Sequence, residues 1–356
     1  MTAIDGTDWT ALTHAYGSAE DAPQILLALL SEDPDRCGDA LGYLSSAVLH
    51  QGSLYPATAP SALFVAGILD DPRTMITCAS ALPWDDRERP LRAALLEWLG
   101  EVAESASYWD DDEGDPSEAA AAARCQAIRR DLHGAVAPHL DDPDESVRAA
   151  ATSAMGHLLS APDLAAFRDE FAQRLLRARD TSAAQRATAA LILNRWGEAP
   201  RTLLVDPDPA VRAVAALAPS LDADPAALAE IRAALADPAR ADAWFPSGAV
   251  PRLGGKLRFA LVRALLRRTG DFDDVLAEAV AVAGMTTAYT VDSDWGPLLE
   301  RAFPQPCREP LTSAQRRFLA AIVDNDRCWD GVANPMLWFN RVGLPYDRDA
   351  LRVLIE

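Results

Sequence analysis

Lysine is almost missing from this chain. Of its 33 basic residues only Lys256 is a lysine, and the rest of the positive charge is arginine. That restricts Schiff-base or general-base chemistry by lysine to one position, although the codon usage of a GC-rich genome explains the bias without any chemistry. Cysteines number five, at positions 37, 78, 125, 307 and 328, and no two stand as CxxC. An odd, scattered set argues against a disulfide framework or a zinc site and for a reducing compartment. Aromatic residues make up 7% of the chain. Residues 1–17 carry neither a basic n-region nor an apolar h-region, so a secretory signal is not expected. No apolar run reaches the roughly 20 residues that cross a bilayer. These absences predict a soluble, cytoplasmic protein. Catalytic motifs are missing as well: there is no HExxH, no P-loop and no GxSxG, and His133 and His139 stand six apart, which is not a helical ligand pair. No metal and no cofactor are expected.

What remains is an acidic, alanine- and leucine-rich chain of 356 residues with a net charge of −20. Half of the residues are hydrophobic, enough for a core, and small apolar side chains favour closely packed helices. A surface of this charge repels phosphate backbones, so general nucleic-acid binding is disfavoured. A basic protein or a cationic ligand is the easier partner.

A turn followed by a helix recurs. Residues 140–159 read LDDPDESVRAAATSAMGHLL and residues 204–221 read LVDPDPAVRAVAALAPSL. Pro143 and Pro207 end the preceding helix, because the ring removes a donor and clashes with a carbonyl behind it. Asp144 and Asp208 then stand at a helix start, where a carboxylate caps free N–H groups. Arg148 and Arg212 follow the turn aspartates Asp142 and Asp206 by six residues, within reach of a turn carboxylate in their own copy or the next. Partial copies place Asp86 before Arg92 and Asp180 before Arg186. Arg258 keeps the helix without the aspartate, and the turn near Ser31 keeps the aspartate without the arginine.

On these residues the chain resembles the HEAT-repeat family over roughly residues 20–270. The segment 49–64, LHQGSLYPATAPSALF, is similar to segments of bacterial HEAT-repeat proteins. The resemblance implies an all-α fold: a right-handed α-solenoid of degenerate helical hairpins with a divergent C-terminal cap. Such arrays bind partners along a concave surface. Helices are predicted over 19–30, 36–49, 58–69, 87–104, 117–140, 145–159, 163–178, 182–196, 209–218, 225–236, 254–269 and 272–284, with no strands. The repeat signal fades after residue 284. The expected division is therefore a solenoid over 1–284 and a helical cap over 285–356 packed on the array.

Three features hold the candidate binding residues. In HQGSLYP, an expected inter-repeat loop, His50, Gln51 and Tyr55 either tie helix ends together or line a rim of the groove; His50 is the best single proton-transfer or recognition candidate. Acidic residues stand beside tryptophan at Trp109, at Asp292, Asp294 and Trp295, and around Trp329, a combination that suits a cation. Trp244 lies in a Pro/Gly-rich loop, where a large apolar side chain is either a plug over the core or a contact site.

Two readings follow. In the first, the chain is an interaction protein, of immunity, inhibitor or adaptor type, presenting an acidic concave groove to a basic protein. In the second, the groove is an enzyme's pocket. One version resembles HEAT-like DNA glycosylases, with Arg174, Arg177, Arg179, Arg263, Arg267 and Arg268 gripping phosphate. Another is a small-molecule enzyme acting through Asp292 or Asp294.

Overall fold

Helix starts dictate the layout. A computed structural model of the chain describes residues 4–79, 87–107, 116–178, 181–246, 249–250, 255–307, 310–330 and 334–356. The first of two compact units, Met1–Leu175, opens with a hairpin of β1 (Thr13–His14) and β2 (Gly17–Ser18), Thr13 opposite Ser18. Next come α1 (Ala22–Leu27), α2 (Pro34–Tyr43) and α3 (Thr58–Ile68). A second hairpin, β3 (Thr77–Cys78) with β4 (Arg89–Pro90), leads into α4 (Leu91–Ser105). The unit continues through α5 (Pro116–Ala127), α6 (Arg129–Val136) and α7 (Glu145–Leu158), and α8 (Arg168–Arg177) runs across the division. The second unit, Leu176–Glu356, holds α9 (Ala183–Arg195), α10 (Pro209–Ala215), α11 (Pro225–Leu235), α12 (Pro238–Asp242), α13 (Leu257–Arg268) and α14 (Leu276–Ala283). It ends with α15 (Trp295–Ala302), α16 (Ser313–Asp324), α17 (Pro335–Arg341) and α18 (Arg348–Ile355).

The described residues are thus mostly helical, as the composition implies. The two hairpins are the departure from an all-helix reading. Each strand is two residues long, too short to leave an alternating pattern in the sequence. The helix predicted over 117–140 breaks at Ile128, whose φ of −89° and ψ of 1° lie outside the helical region, and tightens to a 3-10 turn at Ala137–Asp141, which contains Pro138.

Aspartate caps account for the starts. Asp33, Asp208 and Asp224 each accept the N–H two residues on, with proline at the first helical position. Asp144 accepts from both Ser146 and Val147 without a proline. Each such cap stabilises its helix by about 1 kcal/mol.

Inside the first unit α3 packs on α6 and α4 on α7, while α3 meets α4 and α6 meets α7. Helices α4 and α7 come so close that a Cβ at Gly100 would lie 3.0 Å from the Ala154 Cα. Leu95, Trp98, Leu99, Val147 and Ala151 of these two helices are buried. In the second unit α11, α14, α16 and α18 pack in succession, and so do α13, α15 and α17. One apolar core there runs from Ala187 to Leu351, so residues 285–356 share it with the helices before them.

Buried Asp–Arg pairs join successive copies of the turn. The Asp142 carboxylate accepts from Arg92 Nη1 at 3.2 Å. Asp206 takes Arg186 in a two-point grip, Nε at 2.8 Å and Nη2 at 3.0 Å. In both cases the arginine belongs to the preceding copy. Arg148 and Arg212 turn instead to the carbonyls of their own turns, Asp142 and Pro143 in one, Asp206 and Pro207 in the other. Each turn is thereby closed from two sides. Asp86 and Asp180 lie outside the described residues. Arg258, which has no aspartate six residues before it, pairs with Asp242 and with Asp294.

Candidate functional site

Residues 43–58 form an irregular corner between α2 and α3. Past Tyr43 the helix widens into a single π turn, Leu44–Val48, with the Leu49 N–H bonded to the Leu44 carbonyl at 3.0 Å. The buried Trp98 indole donates to that same carbonyl at 3.1 Å, so α4 fixes the wide turn from the core side. Single π turns inside helices recur at functional sites. His50–Gly52 then forms a 3-10 turn in which Gln51 adopts φ 52° and Gly52 φ 82°. Gln51 is the only non-glycine residue with positive φ among the described residues. Such a conformation costs about 1–3 kcal/mol and persists where neighbours enforce it. Here they do: the buried Thr58 hydroxyl donates to the Val48 carbonyl at 2.7 Å and accepts from the Tyr55 N–H at 2.9 Å.

The β1–β2 hairpin is fastened to this corner. The Ala15 N–H donates to the Ala47 carbonyl at 3.0 Å, and the Ala57 N–H to the Thr13 carbonyl at 3.1 Å. Together they bring His14, Tyr16, Asp21, Tyr43 and His50 into one cluster. The Tyr16 N–H donates to His14 Nδ1 at 3.1 Å. That places the ring proton of neutral His14 on Nε2, 3.6 Å from Asp21 Oδ1. The same oxygen accepts the Tyr43 hydroxyl at 3.2 Å. Burial first, then the Asp21 charge and this bond, push the Tyr43 phenol well up, so it stays a protonated donor. Tyr16, with 70% of its surface exposed, meets His14 and His50 edge-on, with centroids 6.3 Å and 5.6 Å apart. His50 Nδ1 lies 2.9 Å from the Ser46 carbonyl, which can only accept, so in the neutral ring Nδ1 carries the proton and Nε2 keeps a lone pair.

Of the residues singled out in the sequence, His50, Gln51 and Tyr55 therefore do share one place. Gln51 is exposed and Tyr55 half-buried. The partners that make it a cluster, His14, Tyr16, Asp21 and Tyr43, escaped the sequence reading. Their only signal is histidine and tyrosine close together in a chain poor in aromatics.

The other candidates lie in the second unit. Asp294 and Trp295 are both fully buried. Asp294 Oδ2 accepts from Arg258 Nε at 3.0 Å and from the Thr286 hydroxyl at 2.7 Å, and Oδ1 accepts the Trp295 N–H at 2.7 Å. Burial outweighs these donors and the arginine charge and holds the carboxyl above its ordinary value. With both oxygens engaged, the carboxylate closes a core network. The Trp295 indole is likewise spent, on the Thr287 carbonyl at 2.9 Å. Asp292 is exposed and accepts the Trp338 indole N–H. Trp244 is half-buried against the core, the plug arrangement. Trp109 lies outside the described residues.

Several of the arginines offered as a phosphate grip are engaged within the protein. Arg174 holds Asp141 and the Leu140 carbonyl. Arg267 and Arg268 share Asp222, and Arg268 also donates to the Ala216 and Ala218 carbonyls. Arg179 lies outside the described residues, and Arg263 is exposed.

Among the described residues no three His, Cys, Asp or Glu side chains converge as metal ligands, and no helix is long and apolar enough to cross a membrane. No protein-family model matches the chain, and comparison with curated proteins and with solved structures finds no match.

Proposed function

We propose that the chain is a degenerate array of HEAT-like helical hairpins that binds a basic protein partner through its acidic surface. The successive packing of α3 on α6 and α4 on α7, and the Asp–Arg pairs that link one turn to the next, support the array. One observation carries the choice of partner. Three of the six arginines that would have to face a phosphate backbone, Arg174, Arg267 and Arg268, are held by carboxylates and carbonyls of the protein itself. The carboxylate excess of 53 against 33 basic residues then dominates the field outside. A field of that sign speeds association with a cationic surface and slows it with nucleic acid. The small-molecule reading has less support: Asp294 is buried with both oxygens engaged, and Asp292 is exposed and accepts the Trp338 indole N–H.

The test is affinity capture from the source cells at low and high salt, followed by reconstitution with the purified partner. The expected result is a basic protein whose affinity falls by tenfold or more between about 0.05 and 0.5 M salt, as screening shortens the reach of exposed charge. Binding that ignores salt, or a preference for DNA, would refute the proposal.

A further inference from the structure

The cluster at the β1–β2 hairpin has a chemical bias. Asp21 shows 54% of its side chain to solvent, and among the described residues its one ionic contact is His14, with no arginine or lysine beside it. Many of the other turn and cap aspartates of this chain are claimed by arginine: Asp71 by Arg73, Asp142 by Arg92, Asp206 by Arg186, Asp222 by Arg267, Asp224 by Arg201. The donors around Asp21, Tyr43 OH and His14 Nε2, both approach Oδ1. That leaves Oδ2 as an acceptor. His50 adds a second acceptor at Nε2, since Nδ1 is bound to the Ser46 carbonyl. Tyr16 adds an exposed aromatic ring between the two histidines. His14 Nε2 itself is buried without a hydrogen-bond partner, 3.6 Å from the carboxylate. An exposed carboxylate with no basic partner, an imidazole lone pair and a π face leave the cluster with acceptors for a cation. Their complement is a ligand that donates and carries positive charge.

We infer that Asp21, Tyr16 and His50 form a receptor for an arginine guanidinium presented by the partner. Guanidinium suits it better than ammonium. It is planar, so it stacks on a tyrosine ring while its edge N–H groups reach a carboxylate and an imidazole nitrogen. The strained Gln51 and the π turn fixed by Trp98 hold His50 in place for this. The inference rests on the basic-partner reading and names the side chain and the anchor.

The experiment follows the histidine side chains of the full-length protein by NMR while N-acetyl-L-argininamide is added. Of the five histidines, the three outside the cluster serve as internal controls. The resonances of His14 and His50 should move together and saturate, and those of His133, His139 and His157 should stay. The uncharged citrulline analogue should move none of them. Asp21→Asn, at an exposed position whose carboxylate makes no helix cap, should weaken binding at least tenfold, the usual worth of a hydrogen bond to a charged group. Tyr16→Ala, at an exposed ring, should weaken it without disturbing the fold. Equal shifts with the citrulline analogue, or equal affinity in Asp21→Asn, would overturn the assignment. Nona-arginine separates the two levels. Salt-sensitive binding that is equal in wild type and Asp21→Asn overturns this site and leaves the basic-partner reading standing. Absence of binding to either protein removes both.

Discussion

Replacing Asp206 with alanine is expected to be far more damaging than its place in a turn suggests. The side chains of Asp206 and Arg186 are 6% and 14% exposed. Asp206→Ala removes two charge-assisted bonds from Arg186 and the turn bond to the Asp208 N–H at 2.9 Å. It also leaves the guanidinium mostly buried, with the Thr181 carbonyl as its remaining acceptor in the turn. Removing one partner of a buried pair costs about 3–5 kcal/mol, mostly because the other charge stays desolvated and uncompensated. For a unit of this size that lowers Tm by on the order of 10 °C. Arg212→Met probes the other side of the same turn. It loses bonds to the Asp206 and Pro207 carbonyls and to Glu230 but leaves the Asp206–Arg186 pair intact, so about 1–2 kcal/mol is expected. The double variant Arg186→Met/Asp206→Ala buries no orphan charge and should be more stable than the sum of the single losses by at least about 2 kcal/mol. Urea unfolding followed by circular dichroism and tryptophan fluorescence measures wild type, the single variants Asp206→Ala, Arg186→Met and Arg212→Met, and the double variant. A loss below about 1 kcal/mol for Asp206→Ala, or an equal loss for Arg212→Met, would refute the argument that the preceding arginine holds the turn.

The same carboxylate predicts an acid response. Burial works against the Asp206 charge, but the Arg186 bonds and the Asp208 N–H outweigh it and hold the folded carboxyl below its ordinary value. Its stabilising contribution is therefore full above about pH 4 and is lost as pH falls through the lower folded value; Asp206→Ala should flatten that part of the wild-type stability profile, and an unchanged slope would contradict it. Gly100→Ala should cost about 1–3 kcal/mol by wedging α4 from α7. Gly134→Ala, in α6 with open space around it, should instead stabilise by about 0.5–1 kcal/mol; equal effects from the two would show that close approach is not what selects glycine at 100. Gln51→Gly should raise stability by up to about 1 kcal/mol by relieving the left-handed backbone, and Gln51→Val should lower it by a similar amount; thermal unfolding of both variants checks the sign.

Local information settled much of this chain. Aspartate caps and helix-stopping prolines act within a few residues, so helix starts such as Pro209 and Pro225 were legible from spacing alone. Glutamate and aspartate outnumber arginine whatever the fold, so the sign of the field was legible too. What was not local was not legible. Which carboxylate each arginine would take depended on packing between copies: Arg92 crosses 50 residues to Asp142, Arg258 crosses 36 to Asp294. Asp294 and Trp295 looked like a cation site because acid and aromatic stood side by side, and only burial shows them as part of a saturated core network. His50 was visible as an oddity in a loop. That it shares a cluster with a tyrosine 34 residues away was decided by the hairpin that two backbone hydrogen bonds, Ala15 to Ala47 and Ala57 to Thr13, fasten to the corner. Caps and charge are properties of sequence neighbours, whereas pairing and exposure are properties of what the folded chain brings alongside.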